Sequence, residues 1–339
     1  MRLFVFVLTL LFFASCGNDA TQSKEVTVYT HRHYDIDKQL FQQFEEKTGI
    51  AVNVVNANAD ELIQKMKTEG KQSPADVLVT VDAGRLVRAK NDSLLQPITS
   101  TFLDKTIPAN LKDNNNHWFG LTKRARVIAY HKDRVDPATL STYEALADEK
   151  WKGKILVRSS GNIYNQSLMA SIIANDGEAE AKTWAAAVKE NMARSPKGND
   201  RDQVKAVNAG EGDIAIVNTY YIGKLLNSKE AAEVEAGKSV EVFFPNQDGR
   251  GTHVNVSGAG VAKYAPHKEN AIKFIEYLAS KEAQEVYAKA NYEYPINKEA
   301  STSELLSSWG TFKEDNLPLE KLGELNKTAV VTFDAVGWQ

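Results

Sequence analysis

Polar and apolar residues alternate through Glu25–Thr30 (EVTVYT), and this period of two predicts a first strand. Ile36, Leu40, Phe41 and Phe44 then recur at helical spacing, with Gly49 as the stop signal. Ala51–Val55 repeats the strand pattern, and Leu62, Ile63 and Met66 mark a second helix ending at Gly70. Ala75–Val81 (ADVLVTV) is almost continuously apolar, as a strand buried on both faces of a parallel sheet would be.

A second set of the same kind follows. Arg126–His131, a segment within Trp151–Ser159, and Asp213–Asn218 (DIAIVN) read as strands. Helical spacing covers Gln166–Asn175, Glu178–Met192 and Gln203–Asn208, and Tyr220–Leu226 opens another helix. Val240–Phe244 and His253–Ala262 read as strands on either side of a Gly-containing turn. Two helices complete the pattern to about Ala290. Strands alternating with helices predict an α/β fold with parallel sheet. Two such sets without an obvious linker predict two lobes around a ligand cleft, closing about a hinge. The expected crossing segments are Lys123–Tyr130 and the strand after Arg250.

The N-terminus breaks this rhythm. Arg2 precedes an apolar run from Leu3 to Ala14, followed by Ser15, Cys16 and Gly17. A spanning helix needs about 20 apolar residues, so the run reads as the core of a signal peptide that occupies residues 1–15. Small residues before a cysteine resemble a lipobox, with Phe13 where Leu is commonest. Cys16 is the only cysteine, which fits a lipid-modified N-terminus and leaves the folded part without disulfides or a thiolate metal site. Residues 16–24 are small and polar, a tether between lipid and fold. The expected location is periplasmic or extracytoplasmic, lipid-anchored through Cys16.

Composition narrows the partners. The 339 residues are 42% hydrophobic and 25% charged, with a net charge of −3 that becomes −4 without Arg2. No basic run tracks a phosphate backbone, so a nucleic-acid partner is not expected. The chain has no G-x-x-x-x-G-K-[ST], H-E-x-x-H or G-x-S-x-G motif. Gly258 and Gly260 lack the dinucleotide pattern and predict a strand closely approached by another backbone.

What remains is aromatic. His33 and Tyr34 follow the first strand, Tyr164 follows the strand near Ser159, and Tyr220 and Tyr221 follow DIAIVN. Each group opens a strand–helix unit at the carboxyl end of a strand, where α/β sheets present ligands. Taken singly, a tyrosine there is more often a half-buried packing residue with a bonded hydroxyl. Three such openings together point to a site.

Around these residues the sequence resembles the ferric-iron-binding periplasmic proteins of ABC importers. The matching stretches are VYTHRHYD at 28–35, KRARVIAY at 123–130, WKGKILVRSSGNIYNQSL at 151–168, GDIAIVNTYYIGKLL at 212–226 and GTHVNVSGAGVAKYAPHKENAIKFIEYL at 251–278. The resemblance implies a two-lobed periplasmic-binding-protein-like (type II) fold that closes as transferrin does. Residues 25–124 and 251–295 would form lobe 1 and 125–250 lobe 2, with the lobe of the C-terminal segment 296–339 unassigned. It implies Fe3+ as the transported ligand, bound by His33 and Tyr34 from one lobe and Tyr164, Tyr220 and Tyr221 from the other. His33 is preferred over the extra His31 because it adjoins Tyr34. Arg124 or Arg126 would support phenolate charge or hold a small anion. A monomer serving an importer permease and its ATPase, and not an enzyme, is expected.

The chemistry is consistent with that set. Fe3+ is hard and acidic and prefers anionic oxygen to softer donors. A phenol ionises near pH 10 in water, but a bound cation can displace its proton. Three phenolates neutralise the ion, and a fourth leaves the site at −1. Two other binding readings stay open at this stage: Fe2+ with fewer phenolates, or a thiamine, polyamine or sugar-like solute stacked on tyrosine faces. A hydrolase built on Asp35, Asp37 and His33 is weaker, because either aspartate serves equally as a helix N-cap.

Overall fold

The structure is a computed structural model that describes residues 24–339. The signal run, Cys16 and nearly all of the tether lie outside the described residues. The strands are β1 (Glu25–Thr30), β2 (Ala51–Asn56), β3 (Val77–Val81), β4 (Phe119–His131), β5 (Ile155–Leu156), β6 (Ile214–Asn218), β7 (Val240–Phe243), β8 (Val254–Val261) and β9 (Tyr294–Pro295). The first nine helices are α1 (Asp35–Thr48), α2 (Ala59–Glu69), α3 (Ala83–Asn91), α4 (Thr101–Thr106), α5 (Ile163–Asp176), α6 (Glu178–Glu190), α7 (Asp200–Asn208), α8 (Thr219–Leu226) and α9 (Ala231–Ser239). The rest are α10 (Lys268–Leu278), α11 (Lys281–Ala290), α12 (Glu304–Ser308), α13 (Glu320–Glu324) and α14 (Asn326–Val336).

The strands run in the order β2-β1-β3-β8-β4-β6-β5, with β7 and β9 also on β4. β1 pairs in parallel with β2 and β3, and β5 with β6. The wholly parallel expectation fails at the centre, where β8 is antiparallel to β3 and β4, and β4 is antiparallel to β6. Antiparallel neighbours need no crossover helix between them.

β4 begins seven residues before the strand read from sequence, because FGLTKRA interrupts alternation with buried charge. Its first half pairs with β8 up to Ala125↔Val254. From Arg126↔Asn218 onward it pairs with β6. The Arg126 amide donates to the His253 carbonyl at 3.0 Å, tying the two crossing segments together at the change of partner. Val127 and Ala129 enter one apolar core and Ile128 and Tyr130 the other, as strand alternation requires. Gly258 and Gly260 lie in β8 where an added Cβ would come within 2.5 Å of the carbonyls of Phe119 and His117. The close backbone approach is therefore real.

The helices that follow Pro295 carry no long periodic pattern and were not read from sequence. α13 packs against α3 and α5, and α14 against α5 and α6, so the C-terminal segment touches helices that precede and helices that follow β4 in the chain. Gly323 permits this, since a Cβ there would meet Val87 Cβ at 2.3 Å.

Candidate metal centre

Three turns build the site. The turn after β1 is anchored by Arg32, whose buried guanidinium pairs with Asp37 at 2.9 Å and Glu293 at 3.0 Å and donates to Ser257 Oγ at 2.7 Å. The N-cap of α1 is Tyr34, not Asp35 or Asp37. Asp37 instead lies one turn in, accepts from the Tyr34 amide at 3.2 Å and holds Arg32. With Arg32 directed inward, His33 is exposed and the Tyr34 ring faces the cleft 5.0 Å from the imidazole.

The second turn opens α5, where the Asn162 side chain caps the Tyr164 amide at 3.1 Å. The third joins β6 to α8. The fully buried Asp200 accepts from the Asn218 amide at 2.8 Å and from Arg126 Nη1 at 2.7 Å, fixing the strand end. Two consecutive helical tyrosines project about 100° apart. Here the Tyr220 and Tyr221 rings nevertheless pack at 4.2 Å and 31° in the first turn.

The hydroxyls of Tyr164 and Tyr220 are 3.2 Å apart, and the Tyr34 and Tyr221 hydroxyls each also interact with Tyr220. Tyr34, Tyr164, Tyr220 and Tyr221 thus meet, with His33 on the solvent side beside Tyr34. Next to them lies a cavity of about 310 Å³, whose lining includes His31, His33, Tyr34, Tyr164 and Tyr221. Burial raises the Tyr34 phenol to about 12 and also raises Tyr220 and Tyr221, each reinforced by neighbouring phenols. Tyr34, Tyr220 and Tyr221 therefore keep their protons unless a cation replaces them. Burial and the nearby Arg85 lower His31 to about 4, which keeps its imidazole neutral, and its Nδ1 is buried without a hydrogen-bond partner.

The tyrosines sit in a cationic frame. The guanidiniums of Arg124, Arg158 and Arg126 lie 5.4, 5.7 and 6.0 Å from the Tyr164 ring centroid. Arg126 is committed to Asp200, Asn218 and Asn165. Arg124 has only a 3.3 Å bond to Ser257 Oγ, and its Nε and Nη2 are buried without partners. Two cations escaped the sequence reading. Burial opposes charge on Arg158, but Asp200 and the phenols outweigh it and raise its pKa. Lys224 Nζ lies 3.4 Å from the Tyr34 ring centroid, and burial lowers this amine to about 8. The signal for Lys224 was its position one helical turn after Tyr220.

Two further contacts join α5 to the start of α3 and α8 to the loop before β9. Ser167 Oγ on α5 donates at 2.8 Å to Asp82, the N-cap of α3. Gly223 on α8 lies so close to Tyr292 that a Cβ would meet its ring at 2.5 Å. Among the described residues no group of three or more His, Cys, Asp or Glu side chains is placed to hold a metal. Clustered phenol oxygens beside guanidinium and ammonium groups suit a hard, highly charged cation that displaces protons as it binds.

Comparison with known proteins agrees with this geometry. The family model described as bacterial extracellular solute-binding protein matches residues 39–314. The chain is 48% identical over 318 residues to iron uptake protein A1 of Synechocystis sp., covering 94% of this chain and 88% of that protein. A Trichodesmium IdiA (FutA) structure in complex with iron and citrate superposes with a TM-score of 0.91 at 50% identity, covering 93% of this chain and 100% of that one. The ferric binding protein from Campylobacter jejuni gives 0.89 at 47% identity, with 93% and 100% covered.

Proposed function

The chain belongs to the bacterial extracellular solute-binding proteins, in their ferric-iron-binding periplasmic branch, and on that premise we propose that it captures Fe3+ in the interlobe cleft. In this reading Tyr34, Tyr164, Tyr220 and Tyr221 bind as phenolates, and His33 adds its imidazole from the solvent side. Lobe 1 comprises residues 25–124 and 251–295, lobe 2 residues 125–250, and residues 296–339 serve both. The loaded protein delivers its ion to the permease and ATPase of an ABC importer while tethered outside the cytoplasm through lipid on Cys16. It is a carrier, not an enzyme.

The observation that carries the reading is the meeting of four phenol groups from three separate strand–helix turns. Their faces are already occupied: Lys224 and His33 lie against Tyr34, Tyr220 and Tyr221 cover one another, and guanidiniums flank Tyr164. This favours recognition by oxygen over stacking on an organic solute. Asp37 is consumed by Arg32, which argues against a hydrolase. Four phenolates around Fe3+ leave one excess negative charge, which Arg124, Arg158 and Lys224 offset in a site that closes against water. Because ligands come from both lobes, the ion favours the closed state by its differential affinity for it.

The test is ferric loading of the purified mature protein, followed by an absorbance spectrum and metal analysis. The expected result is one ion per chain with a visible phenolate-to-iron charge-transfer band. Bound iron without that band would overturn the phenolate assignment, and no bound iron would overturn the function.

A further inference from the structure

Asp82 follows β3 with φ 112° and ψ 123°, a backbone conformation that residues other than glycine rarely adopt. Its carboxylate is fully buried and bonds in three directions. It accepts from the Gly84 amide at 2.8 Å, which caps α3, and from Asn255 Nδ2 on β8 at 2.7 Å. Asn255 also accepts from the Ala83 amide at 3.0 Å, so β8 grips the strained turn twice. The third bond comes from Ser167 Oγ on α5 at 2.8 Å, and Ser167 is fully buried as well. Strain that persists because its surroundings over-determine it points to a function.

The neighbours of this bond locate it. Val81, which precedes Asp82, lines the tyrosine cavity. Tyr164 lies three residues before Ser167 on α5, on the same side of the helix. The bond therefore sits directly behind the phenols. Five non-glycine residues have positive φ among the described residues, and a second of them, Tyr292 at φ 56°, is the one that meets Gly223 on α8. Both strained side chains thus face helices that carry the tyrosines.

We propose that the hydrogen bond from Ser167 to Asp82 is a metal-independent latch between the lobes, and that Ser167 is a positioning residue for iron capture. This rests on the lobe assignment and the ferric reading given above, in which Asp82 and Asn255 belong to lobe 1 and Ser167 to lobe 2. In the closed state the carboxylate is dry and needs the hydroxyl as donor, because an unsatisfied buried acceptor is costly. In an open state water takes the place of that donor. Loss of the hydroxyl therefore penalises the closed state alone. Apparent affinity scales with the closed fraction, so the latch raises affinity before any ion arrives and slows release afterwards.

The test is S167A, which deletes one oxygen and keeps α5, since alanine is the better helix former. Its circular dichroism should match that of the unaltered protein. Small-angle X-ray scattering of the metal-free mature protein should give S167A the larger radius of gyration, a readout that needs no iron. After ferric loading, S167A should release iron to a chelator about 3- to 10-fold faster, with its charge-transfer band at an unchanged energy. Identical scattering from the two metal-free proteins would overturn the latch. A shifted band would also overturn it, by showing that Ser167 acts on the ligand set and not on the lobes. If the unaltered protein takes up no iron while S167A still opens, the ferric reading falls and the latch stands.

Discussion

The turn after β1 and the turn after β6 both end a buried strand and begin a helix with a tyrosine, yet they are built in opposite ways. The first spends its strongest interactions on itself. Arg32 reaches inward to Asp37, Glu293 and Ser257, and what remains for the cleft is an exposed histidine and a half-buried tyrosine. The second spends them on the ligand group. Asp200 and Asn218 secure the strand end, Tyr220 is buried against Tyr221, and Tyr164 touches Tyr220 from the neighbouring helix. One side is a preassembled oxygen cluster, and the other is a rigid bracket that brings two groups over it. On the ferric reading proposed above, the contrast predicts an order of events in which the ion meets Tyr164, Tyr220 and Tyr221 first, and Tyr34 and His33 arrive with closure.

The largest expected effect separates the two sides outright. Y220F/Y221F should lower ferric affinity at least about a thousandfold, roughly 4 kcal/mol, and abolish the visible band with the fold intact. Retention of the band would place the cluster's oxygens elsewhere. Next comes the bracket. R32Q leaves Glu293 and Asp37 buried without their cation and should cost about 3–5 kcal/mol of stability, read by denaturant unfolding. Burial alone would raise Glu293, but Arg32 outweighs it and holds the carboxyl at about 2. The pair's contribution is therefore complete above the usual carboxylate range and is lost as pH falls towards 2. R32Q should flatten that acid-side loss, and an unchanged profile would show that the bracket is held by other means.

A smaller effect is expected at the closing side. Y34F should weaken ferric binding roughly 10- to 100-fold and leave a band, shifted in energy, from the remaining tyrosines. It should also change the pH dependence. Because burial raises Tyr34 to about 12, its phenol is protonated in the metal-free protein at neutral pH, so binding releases that proton. Affinity falls as pH falls, by about one log unit per pH unit for each phenolate, and Y34F should lower that slope by about one. An unchanged slope would remove Tyr34 from the ligand set. H33A should be the mildest, roughly 3- to 10-fold, seen as faster release of iron to a chelator. A loss as large as that of Y220F/Y221F would reverse the assigned roles of the two sides.

Much of the bracket and the cluster was legible because strand periodicity marks where a strand stops, and the tyrosines come at those stops. β1, β2 and β6 are short and strongly patterned, so Tyr34 and Tyr220 were placed at their ends from sequence. β4 was truncated because the charged pair Lys123 and Arg124 interrupts the apolar alternation that marks a strand, while the fold pairs both with β8. Arg158 and Lys224 were missed for a related reason: an isolated cation carries no periodic signal, and its worth depends on which ring lies beside it. α13 was invisible because five residues make little pattern, and its place is fixed by Gly323 resting on Val87 from a distant part of the chain.

The paired crossing of β4 and the segment entering β8 also decides how the molecule can move. A single strand between two bodies is a swivel, free to twist as well as to bend. Two antiparallel strands joined at Arg126 and His253 act as a flat leaf spring, compliant in one plane and stiff to torsion. Each opening stroke should then retrace the same arc, so the bracket returns to the oxygen cluster in register however many ions the protein has carried.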